Sequence, residues 1–252
     1  MLLMNKTILE ICANSVESGL KAQQGGAHRV ELCDNINEGG TTPSYGTISR
    51  ARKLLEIDLN IIIRPRGGDF IYSDDEFDIM CTDIKIAKEL GADGVVFGIL
   101  MNDGSIDIGR TKYLVNLARP LNVTFHRAFD VCNDPFKALE DIIECGCDRL
   151  LTSGQANKAI DGLDLIKDLI DRANKRIIIM PGSGIDESNI EEVYKKTGAK
   201  EFHASLRVPV KSNMKFKREG VNMGGTKGMS EFERMVTNPE RVKKIIEIIN
   251  RF

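Results

Sequence analysis

The chain has 252 residues, 42% of them hydrophobic and 29% charged, with a formal net charge of −2 at pH 7. That balance suits a globular protein and gives no global basic field for nucleic acid or an anionic membrane. No apolar run approaches the ~18 residues of a membrane span. The opening "MLLMNKTILEICANS" lacks both a charged leading region and a long apolar stretch, so no signal peptide is expected. Six cysteines do not make a disulfide framework in a chain of this size, and reduced thiols in the cytoplasm are the expectation.

Short β-branched runs alternate with stretches of helical period. In chain order, strands are expected at 7–13, 29–33, 60–66, 94–99, 122–127, 149–153, 176–181 and 201–206. Between and after them come helical patterns near 16–25, 44–57, 75–90, 108–118, 134–145, 161–173, 187–197 and 239–250. "ELGADG", "ECGCDR" and "KTGAKE" each place a glycine just past a helix, where it ends the last turn. Eight strand–helix units over about 250 residues match a single-domain α/β chain folded as a (β/α)8 TIM barrel spanning residues 1–252. An open doubly wound sheet is the alternative, although no Gly-x-Gly-x-x-Gly follows the first strand. Residues 207–237 break the repeat and read as a long irregular loop, a lid or a connection, before the last helix.

Side chains two apart on a strand share a face. Sorting by parity puts Glu10 and Cys12, Glu31 and Cys33, Arg64 and Arg66, Thr124 and His126, and His203 and Ser205 on one face, with apolar residues on the other. Most of the polar members sit toward the C-terminal ends of the strands, where barrel enzymes keep their active sites. Arg127, Asp130 and Cys132 follow the fifth strand at the same mouth. These groups either form a functional pocket or satisfy one another as buried ion pairs. Counted as a set, two glutamates against three arginines leave positive charge for a small phosphorylated or carboxylated molecule. "RGGDF", with Asp69, and "PGSG", with Ser183, are turns that either free backbone N–H groups for such an anion or only bend the chain.

No C-x-x-C, H-E-x-x-H or EF-hand spacing occurs, so a dedicated zinc or calcium site is not expected from motif. Cys12 and Cys33 lie on adjacent strands with the same parity and read either as Cu(I) ligands or as two buried thiols. Cys132 is a weaker candidate for the same metal. "CGC" at 145–147 falls before the sixth strand, away from the mouth.

"RVELC", "EGGTTPSYG", "IIRPRGGDFIYSDDEF", "VTFHRAFD", "LLTSGQ" and "FHAS" together resemble the CutC family, over about residues 8–206. The resemblance implies a cytoplasmic (β/α)8 barrel linked to copper tolerance. Its signature residues fall on Glu31, Cys33, Arg64, Arg66, Asp69, His126, Arg127, Asp130 and His203, while Pro181 stands where the family has a small residue. Two functions follow. By resemblance the chain is a copper homeostasis protein binding Cu(I) through cysteines, without an organic cofactor. By its residues it is an enzyme on a small anionic substrate, with Glu31, His126 and His203 as candidate acid–base groups and Glu10, Arg64, Arg66, Asp69, Arg127, Asp130, Ser183 and Ser205 as candidate ligand contacts. A lysine Schiff base is disfavoured because no strand offers an inward lysine. Neither nucleic acid nor membrane is an expected partner, and the assembly is left open, a homodimer or tetramer being one alternative.

Overall fold

Alternation within each strand decides the architecture, because one phase must be apolar enough to pack under helices. In the computed structural model, which describes residues 7–218, 220–221 and 230–252, that phase is fully buried: Leu9, Ile11, Val30, Leu32, Leu59, Ile61, Val95, Phe97, Val123, Phe125, Leu150 and Phe202 have no exposed surface. The strands are β1 (Ile8–Ala13), β2 (Arg29–Leu32), β3 (Asp58–Ile62), β4 (Gly94–Phe97), β5 (Asn122–Phe125), β6 (Arg149–Thr152), β7 (Ile178–Pro181) and β8 (Glu201–Ala204). They alternate with α1 (Val16–Gln24), α2 (Tyr45–Leu54), α3 (Asp74–Glu89), α4 (Ile108–Ala118), α5 (Pro135–Glu144), α6 (Leu163–Ala173) and α7 (Ile190–Thr197), and α8 (Pro239–Ile249) ends the chain.

All ladders in this sheet are parallel, in the order β7-β6-β5-β4-β3-β2-β1-β8. β7 stands beside β8 and completes the ring, so the (β/α)8 barrel is the fold and the open sheet is not. At that seam Gly182 is packed so closely that a Cβ would lie 2.4 Å from Leu151 and 3.1 Å from His203. The helix stops read from sequence hold at Gly91, Gly146 and Gly198, whose φ angles are 82°, 83° and 72°. Ser73 and Glu76 form a reciprocal cap on α3, and Asp134-Pro135 and Asn238-Pro239 start α5 and α8.

Residues 207–237 are not irregular throughout. β9 (Arg207–Lys211) and β10 (Glu233–Thr237) pair antiparallel in a two-stranded ribbon. The ribbon is pinned to α1 through the Thr237 N–H bond to Ser18 Oγ (3.3 Å) and an Arg234–Glu17 ion pair. Sequence reading missed it because Pro209 interrupts one strand and no short turn links the two. Residues 219 and 222–229 of that expected loop lie outside the described residues.

The inner phase carries charge at both ends of the barrel. On the floor, Arg29 donates from Nε to Glu10 (2.5 Å) and from Nη2 to Glu201 (2.6 Å), and Arg149 Nε donates to the same Glu201 oxygen (2.6 Å). Asn60 Nδ2 adds a bond to Glu10 at 3.0 Å. Burial opposes the Arg29 charge, but the two carboxylates outweigh it and hold the guanidinium more firmly protonated than usual. Replacing Arg29 by Met should destabilise the fold by about 3–5 kcal/mol, because Glu10 loses its cation and Glu201 one of two. Urea unfolding with unchanged m-value would measure it.

Candidate functional site

Seven of the residues singled out from sequence surround one cavity of about 370 Å³ at the C-terminal end of the barrel: Cys12, Glu31, Arg64, His126, Arg127, Asp130 and His203. Its remaining walls include Glu38, Ile62, Gly68, Phe70, Val131 and Leu151. The size suits a small molecule. A wider depression of about 910 Å³ lies between residues 154–165 and 188–196, but its lysines are surface groups, with Lys195 and Lys196 paired to Glu191 and Asp164.

Cys12, Glu31 and His203 come from three neighbouring strands, with β1 paired between β2 and β8. His203 Nε2 lies 2.9 Å from Glu31 Oε2 and 3.8 Å from Glu10 Oε1, a buried carboxylate oxygen without a hydrogen-bond partner among the described residues. Burial works against charge on both His203 and Glu31, but each outweighs it for the other: His203 is held well above its ordinary 6.5 and Glu31 below 4.5. They form an imidazolium–carboxylate pair at neutral pH. Cys12 Sγ is 3.7 Å from Cys33 Sγ, and that contact together with burial pushes the Cys12 thiol well above its ordinary 9.0.

His126 takes a different state. Its Nδ1 accepts the Ala128 N–H at 3.2 Å, which leaves the proton of the neutral ring on Nε2. Burial, with the nearby Arg64 charge, pushes its pKa down to about 3. Gly98 makes room for the ring, since a Cβ there would lie 2.7 Å from Nδ1, and Phe70 meets it edge-on at 5.1 Å. Nε2 is buried and has no partner among the described residues. Such an imidazole is a hydrogen-bond donor at neutral pH and a weak general base.

Arg64 ties two loops to the mouth. Its Nη1 donates to the carbonyls of Glu38 (2.7 Å) and Gly40 (2.9 Å), Nη2 donates to Gly68 (2.7 Å), and the guanidinium lies 5.0 Å over the Phe70 ring. The "RGGDF" turn therefore offers Arg64 a carbonyl. Arg64 has no carboxylate partner among the described residues. Arg127 is paired with Asp130 at 2.6 Å, and Asp130 is further held by Thr152, Ser153 and Gln155. Of the two mouth arginines, only Arg64 is left without a carboxylate partner among the described residues, so the expected positive surplus is reduced.

Arg66 and Asp69 lie away from the cavity. β3 ends at Ile62, Pro65 follows, and the inward phase lapses before Arg66. Arg66 instead binds Glu76 (2.6 Å) and Asp69 (3.0 Å) near the surface. Glu10 is inward but sits below the mouth in the floor network. Ser183 Oγ donates to the Asn157 carbonyl, and α7 begins only at Ile190, so "PGSG" does not stand at that helix N-terminus. Ser205 is half-buried where the chain leaves β8 for the ribbon, and its carbonyl accepts from Thr237. Cys132 is buried in the apolar core beside Gln155, its thiol pushed up to about 11 by burial. The floor cations Arg29 and Arg149 and the carboxylate Glu201 were missed, although their strand positions share the parity of the mouth residues.

The CutC family model matches residues 7–208. The family protein CutC of Parabacteroides distasonis is 55% identical over 242 residues, 96% of this chain and 100% of its own. The human copper homeostasis protein cutC homolog is 46% identical over 241 residues, 96% of this chain and 88% of its own. A crystal structure of a CutC copper homeostasis protein from Streptococcus agalactiae aligns with TM-score 0.76 and 38% identity, over 79% of this chain and 98% of that one. A thiamine phosphate pyrophosphorylase from Pyrococcus furiosus aligns with TM-score 0.61 at 16% identity, over 99% of this chain and 98% of that one, and shares the fold.

The depressed His126 pKa makes a pH prediction with a definite sign. Between pH 6.5 and about 3 the unfolded chain binds a proton that the folded ring refuses, so His126 costs stability as pH falls through that window. The cost approaches the order of 4 kcal/mol at its acid end. His126→Gln should flatten the acid limb relative to the parent in pH-dependent denaturation. The His126 ring resonances should show no titration above pH 5.

Proposed function

The chain belongs to the CutC family of copper homeostasis proteins, and on that footing we propose that it carries Cu(I) between Cys12 and Cys33 at the mouth of the barrel. The observation that supports this reading is the 3.7 Å separation of the two sulfurs beside the cavity. Metal–thiolate bonds run about 2.3 Å at zinc, so one ion held by both sulfurs fits that separation as a bent bridge. Thiolates are the soft donors that select Cu(I). Both thiols must give up their protons, so binding competes with the forces that keep Cys12 protonated. Six free cysteines suit a reducing cytoplasm, where Cu(I) is the stable cargo.

The test is anaerobic titration against a chromophoric Cu(I) chelator. The parent should take up one ion, and Cys12→Ser and Cys33→Ser should each weaken it by more than about 100-fold, beyond the loss on removing a supporting contact. Equal binding by parent and variants would place the copper elsewhere.

A second reading rests on Arg64 and His126. A guanidinium with no carboxylate partner and a neutral imidazole with an unpartnered N–H line the same cavity, a pairing that favours a small carboxylate or phosphate. Calorimetry with inorganic phosphate and malonate should show binding that His126→Phe weakens by about tenfold, the value of one lost hydrogen bond to a charged group. Unchanged binding by that variant would remove His126 from the site.

A further inference from the structure

We propose that Cys12, Glu31 and His203 form a site for a divalent ion of the zinc class, distinct in its ligand set from the Cu(I) thiol pair. One ligand atom from each, a sulfur, a carboxylate oxygen and an imidazole nitrogen, lies within 4.8 Å of the other two. Three donors of this kind around one ion, with a fourth position left to water or substrate, are the pattern of catalytic zinc sites. Here the fourth position faces the 370 Å³ cavity that all three residues line.

The setting favours a cation. His203 Nε2 lies 2.9 Å from the Glu31 carboxylate and 3.8 Å from that of Glu10, whose Oε1 is buried without a hydrogen-bond partner among the described residues. Two buried carboxylate groups thus converge on one nitrogen. A metal on Nε2 would meet Glu31 as a ligand and Glu10 as a nearby carboxylate that strengthens the field. Glu10 is itself fixed by Arg29 and Asn60, so the support is rigid.

The donor chemistry separates this ion from copper. Cu(I) seeks two soft sulfurs, whereas a borderline divalent ion accepts one thiolate with nitrogen and oxygen. As the ion arrives, the Cys12 thiol and the His203 Nε2 each give a proton to solvent, and the site exchanges two protons for one dication with no change in net charge. Cys12 is shared, so the two ions compete. The zinc-class site does not rest on the copper reading, because it makes no use of Cys33.

An ion held this way would give the cavity a Lewis acid facing the His126 and Arg64 donors. The matching ligand class is a small molecule bearing an oxyanion or a polarisable carbonyl.

The experiment uses Co(II) and Zn(II) on the full-length protein. Co(II) should produce a sulfur-to-metal charge-transfer band with tetrahedral visible absorption, abolished in Cys12→Ser. Glu31→Gln and His203→Gln should each weaken Zn(II) binding, in chelator competition, by at least about tenfold, and Cys33→Ser should keep the Co(II) spectrum while losing Cu(I). X-ray absorption on the parent Zn(II) complex needs no variant to fold, and should find one sulfur with nitrogen and oxygen neighbours. Two sulfurs around zinc, or Zn(II) affinity unchanged in folded Glu31→Gln and His203→Gln, would overturn the assignment.

Discussion

Arg29 is the interaction on which the interior depends. It lies in the floor of the barrel between Glu10 and Glu201, and Arg149 completes the neutralisation of Glu201. Without that cation Glu10 would lose its arginine and Glu201 one of its two in a buried floor, where an uncompensated ion costs several kcal/mol. With it, Glu10 is fixed in place, and one of its oxygens is aimed upward at His203. The floor reaches the mouth through Arg29, whose charge adds to the forces that keep Glu31 ionised. His203 is protonated chiefly because the Glu31 carboxylate lies beside it, and Glu31 is ionised chiefly because of His203, with a smaller contribution from Arg29.

Arg64 has a corresponding role at the rim. Its bonds to the Glu38, Gly40 and Gly68 carbonyls join the loops after β2 and β3 over the cavity. Asp130 does the same for the loops after β5 and β6, taking bonds from Arg127, Ser153 and Gln155. Much of the charge that looks like ligand-binding equipment is thus occupied in holding the cavity open at a fixed size. Among the described residues, the buried atoms left without a hydrogen-bond partner include the His126 Nε2, the Arg64 Nε and the Glu10 Oε1, while the two thiols face each other.

The barrel was legible because each strand alternates cleanly, and the same alternation picked out Cys12, Glu31, Arg64, His126 and His203. It failed where the strand itself ended. β3 ends at Ile62 and Pro65 follows, so Arg66 turns to Glu76 near the surface although it is two residues from Arg64. Arg29, Arg149 and Glu201 have the right parity but stand at the starts of β2, β6 and β8, the end of a barrel strand remote from the mouth. The protonation states were out of reach, since the neutral His126 depends on burial and on Arg64, and the charged His203 on two strands paired to β1. The ribbon of β9 and β10 left no local trace because its pairing spans a long insertion.

The position of β1 between β2 and β8 gives the site a history during synthesis. Cys12 and Cys33 can meet once the first strand–helix–strand unit has emerged, whereas His203 lies 172 residues after Glu31. Until β8 is made, one edge of β1 has no ladder partner, and Glu10 lacks the Glu201 side of its network. A growing chain would hold its soft sulfur pair long before the imidazole arrives to close the ring. The two donor sets are thus separated in time as well as in chemistry, and the mixed set exists only in the finished barrel.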